Sequence, residues 1–326
     1  MTTPAAPPRR APLLIVANAL RGALIGTAEL LPGISGGTIA LITGVYERLI
    51  DSAAAVVSAV KALLWGPGRL AGFRAEIRRV DGWLIVPLLV GMATIVLTLA
   101  GPIEGLVAAY PEESRGLFFG LVAASIAVPI GLVPRVLRSR SSRAAGLLVF
   151  LAAAAGAFLL VGLAGGGASV DPPPLWFVFV AAAIAVCALV VPGVSGSFFL
   201  LAVGLYSPTL VAVDERDLGY IAVFAAGALL GLVTIVRVMK WLLDAYRRLT
   251  LLAMAGLMLG SLRALWPWQV GESGESSATG VPVAPFEPVL APILFAVLGA
   301  GVVVALILVE RAYARRLSEA VQIPAP

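Results

Sequence analysis

Apolar residues run through this chain in stretches too long for a globular core. Nearly continuous apolar segments lie at residues 83–101, 116–134, 144–164, 219–239, 250–265 and 288–309. A bilayer-crossing helix needs roughly 20 mostly apolar residues, and a helix satisfies its backbone hydrogen bonds within its own segment. The pattern predicts six full spans. Two further apolar segments, 12–50 and 175–206, are interrupted near their middles by Pro32-Gly33 and Pro192-Gly193. A continuous helix would lose a hydrogen bond and gain a clash at each proline.

The polar connections give these segments a direction. Arg135, Arg138, Arg140 and Arg143 fill one loop, Arg237, Lys240, Arg247 and Arg248 another, and Arg311, Arg315 and Arg316 the tail. Glu104, Glu112 and Glu113, then Asp171, Asp214, Glu215 and Asp217, then Glu272, Glu275 and Glu287 mark the opposite side. Basic loops stay cytoplasmic, so both termini are expected inside. By this parity segment 12–50 begins and ends inside, and segment 175–206 begins and ends outside. Each is read as a helical hairpin, broken or re-entrant, against the alternative of ordinary spans kinked by proline.

The two interrupted segments match. Pro32-Gly33-Ile34-Ser35-Gly36-Gly37 aligns with Pro192-Gly193-Val194-Ser195-Gly196-Ser197 at an offset of 160, which also pairs Gly44 with Gly204 and Tyr46 with Tyr206. A weaker match pairs Gly120-Leu121 and Ser125 with Gly256-Leu257 and Ser261 at an offset of 136. Three spans separate the hairpins, so the copies should have opposite orientations, the arrangement associated with alternating access. The expected organisation is a disordered cytoplasmic N-terminus (1–11), a first repeat (12–164), an external linker (165–174), a second repeat (175–310) and a cytoplasmic tail (311–326). The 270–280 stretch reads as a flexible external loop. Arg9 and Arg10 before an apolar run imitate a signal peptide, but the run is short and Arg21 follows, so retention is expected.

Composition sharpens this picture. The chain is 60% hydrophobic and 13% charged, half the usual charged fraction, which excludes a soluble enzyme. It has no His and one Cys, which removes the common metal ligand, the usual neutral-pH base and any intrachain disulfide. No metal site, catalytic residue or cofactor is expected. The pI near 9.8 follows from basic loops, so nucleic acid is not an expected partner.

The breakers carry the candidate chemistry. Around Pro32, Gly33, Ser35, Gly36, Gly37 and Thr38, and around Gly193, Ser195, Gly196 and Ser197, small residues let backbone N–H groups face a ligand at a helix start. Such a site suits an anion, phosphate above all; the plainer alternative is close helix packing. Charges within apolar segments are costly and usually functional, and here they are Arg21, Glu29 and Arg263. Arg21 suits bidentate capture of a phosphate. Glu29 is left with two roles, ion-pair partner or proton carrier. Arg263 precedes Trp266-Pro267-Trp268 and divides evenly between ligand and interfacial snorkelling. Tyr46 and Tyr206 read as interface anchors.

The run from Arg21 to Ile50, including Glu29, PGISGGT and Gly44-Val45-Tyr46-Glu47-Arg48, resembles the bacterial polyprenyl-phosphate transporters of the PopT family. The resemblance continues in Gly116–Gly120, in PGVSGSFFLLAVGLY at 192–206, and in Gly256–Arg263 with Trp266-Pro267. It implies an all-α polytopic protein of the bacterial plasma membrane. It also implies transport of undecaprenyl phosphate from the outer to the cytoplasmic leaflet, which recycles the carrier lipid of cell-wall synthesis. The residues themselves leave other readings open. A permease for a small soluble anion keeps the same chemistry, whereas a membrane lipid phosphatase would carry an arginine directly after the serine, where this chain has Gly36 and Gly196. Membrane lipids are the remaining expected partners, and a homodimer stays open.

Overall fold

The computed structural model describes residues 11–29, 35–66, 68–134, 140–163, 173–193, 195–196, 199–200, 203–205, 208–209, 211–212, 215–270 and 281–321. The described chain is almost entirely helical. In chain order the helices are α1 (Ala11–Glu29), α2 (Gly36–Ile42), α3 (Tyr46–Trp65), α4 (Arg69–Ile77), α5 (Gly82–Ala109) and α6 (Pro111–Ser125). They continue with α7 (Ala127–Gly131), α8 (Arg140–Leu163), α9 (Leu175–Val190), α10 (Leu218–Ser261) and α11 (Leu290–Val321). One two-stranded antiparallel ribbon pairs Gln269 with Pro282 and Val270 with Val281.

Among the described residues five helical stretches are long and apolar enough to cross a membrane: 82–99, 111–131, 142–162, 218–265 and 290–309. The large apolar side chains left exposed on them, Leu97, Leu148, Leu230 and Val297 among others, are at home in lipid. This is a membrane protein. The fourth stretch contains both 219–239 and 250–265, which the sequence separates into two spans. α10 is about 66 Å long, twice a hydrocarbon core. Tyr246 interrupts it with φ −130° and ψ 33°. The Thr250 hydroxyl bonds the carbonyls of both Tyr246 and Leu242, at 3.1 and 3.0 Å. Eight residues of straight helix separate groups by about 12 Å, so the second bond requires a sharp bend at Tyr246.

The first interrupted segment holds three helices, because α3 continues fifteen residues past Ile50 to Trp65 before α4 begins. Aspartates start two of the long helices: Asp81 caps α5 through Leu84 N–H, and Asp217 caps α10 through Tyr220 N–H.

Packing joins α1 to α5, α9 to α10, α6 to α11, and α8 to α10. Each interface is closed by glycine. A methyl on Gly22 would strike Leu88 of α5, and one on Gly227 or Gly231 would strike Phe179 or Ala183 of α9. Gly116 and Gly120 lie on Pro292 and Ala296 of α11, while Gly256 and Gly260 lie on Phe150 and Ala154 of α8. Small residues let backbones approach where lipid gives no hydrophobic drive between helices. These contacts match Gly116 and Gly120 with Gly256 and Gly260, an offset of 140, four residues from the 136 of the sequence match. Contact geometry follows the paired glycines, whereas the sequence match rested on a single Gly-Leu pair and a serine.

Candidate functional site

The two breaker segments meet in the interior. After α1 the chain restarts at Ser35 in extended conformation, φ −106° and ψ 123°, and α2 follows. The first free N–H of α2, at Gly36, donates to Oε1 of Glu29 at 2.9 Å. Glu29 therefore satisfies a helix start across its own break. Ser35 makes no side-chain cap; its hydroxyl lies 3.4 Å from the Val191 carbonyl at the end of α9.

Further bonds join the same two places. Gly193 N–H donates to Thr38 Oγ1 at 3.0 Å, and Tyr46 OH donates to the Val190 carbonyl at 3.0 Å. Gly37 packs where a side chain would press on the Val190 carbonyl. Tyr46 is 4% exposed, so it is a buried strut between the breakers and no interface anchor. Its hydroxyl finds the Val190 carbonyl, which lies in the last turn of α9. Gly193 adopts φ +86°, and a Cβ there would lie 2.6 Å from Met258 N, so only glycine fits. Met258 belongs to the second arm of α10, which thereby joins the junction.

The local geometry repeats. Ile39 N–H bonds the Ser35 carbonyl, Thr43 that of Ile39, Val45 that of Ala40 and Leu49 that of Val45. At an offset of 160, Phe199 bonds Ser195, Val203 bonds Phe199, Leu205 bonds Leu200 and Thr209 bonds Leu205. Gly44 and Gly204 both take the left-handed conformation, at φ 69° and 74°. Ser35 and Thr38 are 3% and 1% exposed and Ser195 is 9%, so this junction is closed to water here.

Of the residues singled out in the sequence, Glu29, Ser35, Gly36, Gly37, Thr38 and Gly193 are brought together. Gly196 packs against α9, where a Cβ would meet the Ala185 carbonyl at 2.5 Å. Pro32, Gly33 and Ser197 lie outside the described residues, as do Tyr206, residues 1–10, most of the 165–174 linker and 271–280. Arg21 donates to Asn18 Oδ1 at 2.7 Å, and buried Asn18 donates to the Trp83 carbonyl at 2.8 Å. Arg21 is eight residues before Glu29 on α1, about 12 Å along the axis.

Arg263 sits five residues past Met258, beside the junction rather than in it. Its guanidinium lies 4.6 Å from the Phe158 ring centroid, in a cation–π contact, and 3.4 Å from the Phe158 carbonyl. It opens on a cavity of about 440 Å³ lined with Phe119, Leu262 and Trp266.

Three groups of functional interest were not singled out. Asn18 orients Arg21. Arg115 donates to the Pro267 carbonyl at 3.2 Å. Glu47 receives Arg247 in a fork of 2.8 and 2.7 Å, and Lys240 pairs with Asp51, so the start of α3 is tied to the bend of α10. Glu47 lies 200 residues from Arg247. The arginine's place in a basic loop was signal enough for topology and none for pairing.

No group of three or more His, Cys, Asp or Glu among the described residues is placed to hold a metal. Comparison with known proteins agrees on one family. Residues 25–282 match the profile described as undecaprenyl phosphate translocase-like. A polyprenyl-phosphate transporter of Vibrio cholerae serotype O1 is 34% identical over 276 residues, covering 85% of each chain. A polyprenyl-phosphate transporter of Staphylococcus aureus is 25% identical over 266 residues, 77% of this chain and 86% of its own. No solved structure matches. The relatives bear the names of transporters and not of enzymes. A profile spanning most of the chain and a relative so similar along its length leave one assignment: the chain belongs to the undecaprenyl phosphate translocase-like family.

Proposed function

We propose that this protein carries polyprenyl phosphate, undecaprenyl phosphate in particular, from the outer to the cytoplasmic leaflet of the bacterial plasma membrane, returning carrier lipid to cell-wall synthesis. The observation that carries the reading is the junction itself. Two matching breakers, 160 residues apart, bond to each other through Thr38 and Gly193. In this reading they belong to inverted repeats, and swapping the conformations of the two halves exchanges access between leaflets. Paired contacts support it: α1 on α5 answers α9 on the first arm of α10, and α6 on α11 answers the second arm of α10 on α8. The bend at Tyr246 then divides α10 into two crossings, giving six spans with both termini cytoplasmic.

The phosphate passes between the breakers. Arg21 and Arg263 supply cationic charge along its path, and Ser35, Thr38, Ser195 and Ser197 supply hydroxyls beside the N–H groups of Gly33, Gly36, Gly37, Gly193 and Gly196, with Pro32 setting the break. Glu29 holds the Gly36 N–H in this conformation. A phosphate and that carboxylate compete for one donor, and a proton on Glu29 weakens the carboxylate's hold. Proton coupling follows from this exchange.

Purified protein in liposomes with a fluorescent polyprenyl phosphate tests the reading. Arg21→Ala is expected to lower translocation at least tenfold while the protein remains folded; wild-type rates would remove Arg21 from the path. Glu29→Gln is expected to flatten the pH dependence of transport, and an unchanged profile would remove the proton role.

A further inference from the structure

The cavity beside Arg263 has a neighbour. A second cavity of about 490 Å³ lies across a wall made by Phe119 and Trp266, and it is bounded by Ala123, Trp268, Ile293 and Val297 among other apolar residues. Both volumes fall in the range of small-ligand sites. Ile293 and Val297 of α11 are 45% and 66% exposed, so the second cavity opens sideways, where lipid lies.

The wall is built rather than incidental. Trp266 packs edge-on against Phe119 at 6.0 Å and against Trp268 at 5.5 Å. Both indole N–H groups are already committed, Trp266 to the Val283 carbonyl at 2.9 Å and Trp268 to the Pro288 carbonyl at 3.3 Å. The rings therefore offer apolar surface alone to the groove. Buried Gln269 donates to the carbonyls of Arg263, Ala264 and Trp266, which fixes the turn carrying the wall. Arg115 braces the same turn through the Pro267 carbonyl.

Arg263 on the other side of the wall is differently placed. Among the described residues it has no carboxylate partner, and its hydrogen bond to Phe158 is long. Most of its five donors remain for an anion. A small soluble anion would use the first cavity and leave the groove empty. A single-chain lipid with a phosphate head would fill both.

We propose that this pair of cavities is a loading site distinct from the breaker junction, in which Arg263 takes the phosphate of a single-chain phospholipid and the groove between α6 and α11 takes the head-proximal part of its chain. Resting on the transport reading, it gives Arg263 the first contact on the path. Met258, which packs on Gly193, lies only about 8 Å of helix rise before Arg263. The head needs a short displacement to pass from one place to the other.

Photo-crosslinking of the full-length protein in nanodiscs with a diazirine-bearing farnesyl phosphate, mapped by mass spectrometry, tests it. Labels are expected on α6 and α11 around Ala123 and Ile293; labels confined to other helices overturn the site. Arg263→Gln is expected to weaken farnesyl phosphate at least tenfold and to leave farnesol labelling unchanged, with Arg263→Lys retaining most of the affinity. Ala123→Phe, which fills the groove, is expected to weaken farnesyl phosphate about tenfold. Wild-type affinity in both Arg263→Gln and Ala123→Phe overturns the proposal. Complete displacement by millimolar inorganic phosphate overturns the role of the chain, and equal displacement by two-chained phosphatidylglycerol overturns single-chain selection. Labels elsewhere with intact translocation remove this site and leave transport standing. Labels in the groove without translocation do the reverse.

Discussion

The two ends of the second arm of α10 are built on opposite principles. At the Tyr246 end Arg247 forks onto Glu47, Lys240 reaches Asp51, and Thr250 knots the bend, so α3 and α10 are held together by paired charges. At the far end, about 24 Å along the helix, Arg263 has no carboxylate partner among the described residues and faces an open cavity. Between them lies the breaker junction, whose described residues Ser35, Thr38 and Ser195 are buried. The difference teaches where movement is to be sought. A cation with a partner closes a surface, and a cation without one waits for a ligand. Among the described residues, charges are paired at the Tyr246 end and a cavity lies beside Arg263 at the other.

Four experiments sharpen or break this contrast, from the junction outward. Gly193→Ala combines a left-handed backbone with a collision against the Met258 backbone, and is expected to cost roughly 3 kcal/mol. Thermal unfolding in detergent reads it, and a melting temperature equal to that of wild type would show that the breakers do not pack this tightly. Thr38→Val removes the acceptor of a buried N–H and is expected to cost about 1–3 kcal/mol, recovered in Thr38→Ser. If valine and serine melt alike, the Gly193–Thr38 bond is not holding the junction.

The ion pair should matter less. Glu47 and Arg247 side chains are 40% and 39% exposed, so a double-mutant cycle to alanine is expected to give a coupling of about 0.2–1 kcal/mol, shrinking at high salt. A zero coupling at low salt would deny the latch. Arg263→Gln should change stability by only about 0.5 kcal/mol, because it gives up an exposed cation–π contact and one long hydrogen bond and no described carboxylate loses a partner. A larger loss would mean that Arg263 is structural, and the two ends would then differ less than their contacts imply.

Legibility in the sequence followed the range of the interaction. The breakers were readable because proline and glycine act on their own backbone, and the match at 160 residues carried over into hydrogen bonds and positive φ values at Gly44 and Gly204. Glu29 stood out as a charge in an apolar run. That its partner is the Gly36 N–H was hidden, since an amide looks the same at every residue. Tyr46 was misread because an aromatic hydroxyl suits an interface and a buried carbonyl equally well, and only packing decides between them.

By itself the sequence determined the environment and the local breaks. Apolar runs of bilayer length, basic and acidic loops and two Pro-Gly interruptions are properties of neighbouring residues, and they act wherever the chain goes. Tertiary structure alone decided that the two breakers touch, that Arg247 finds Glu47 across 200 residues, and that Arg263 is left facing a cavity. Those outcomes depend on which glycines let which helices approach. A few ångströms of helix separation would leave every local feature intact and part every one of those contacts.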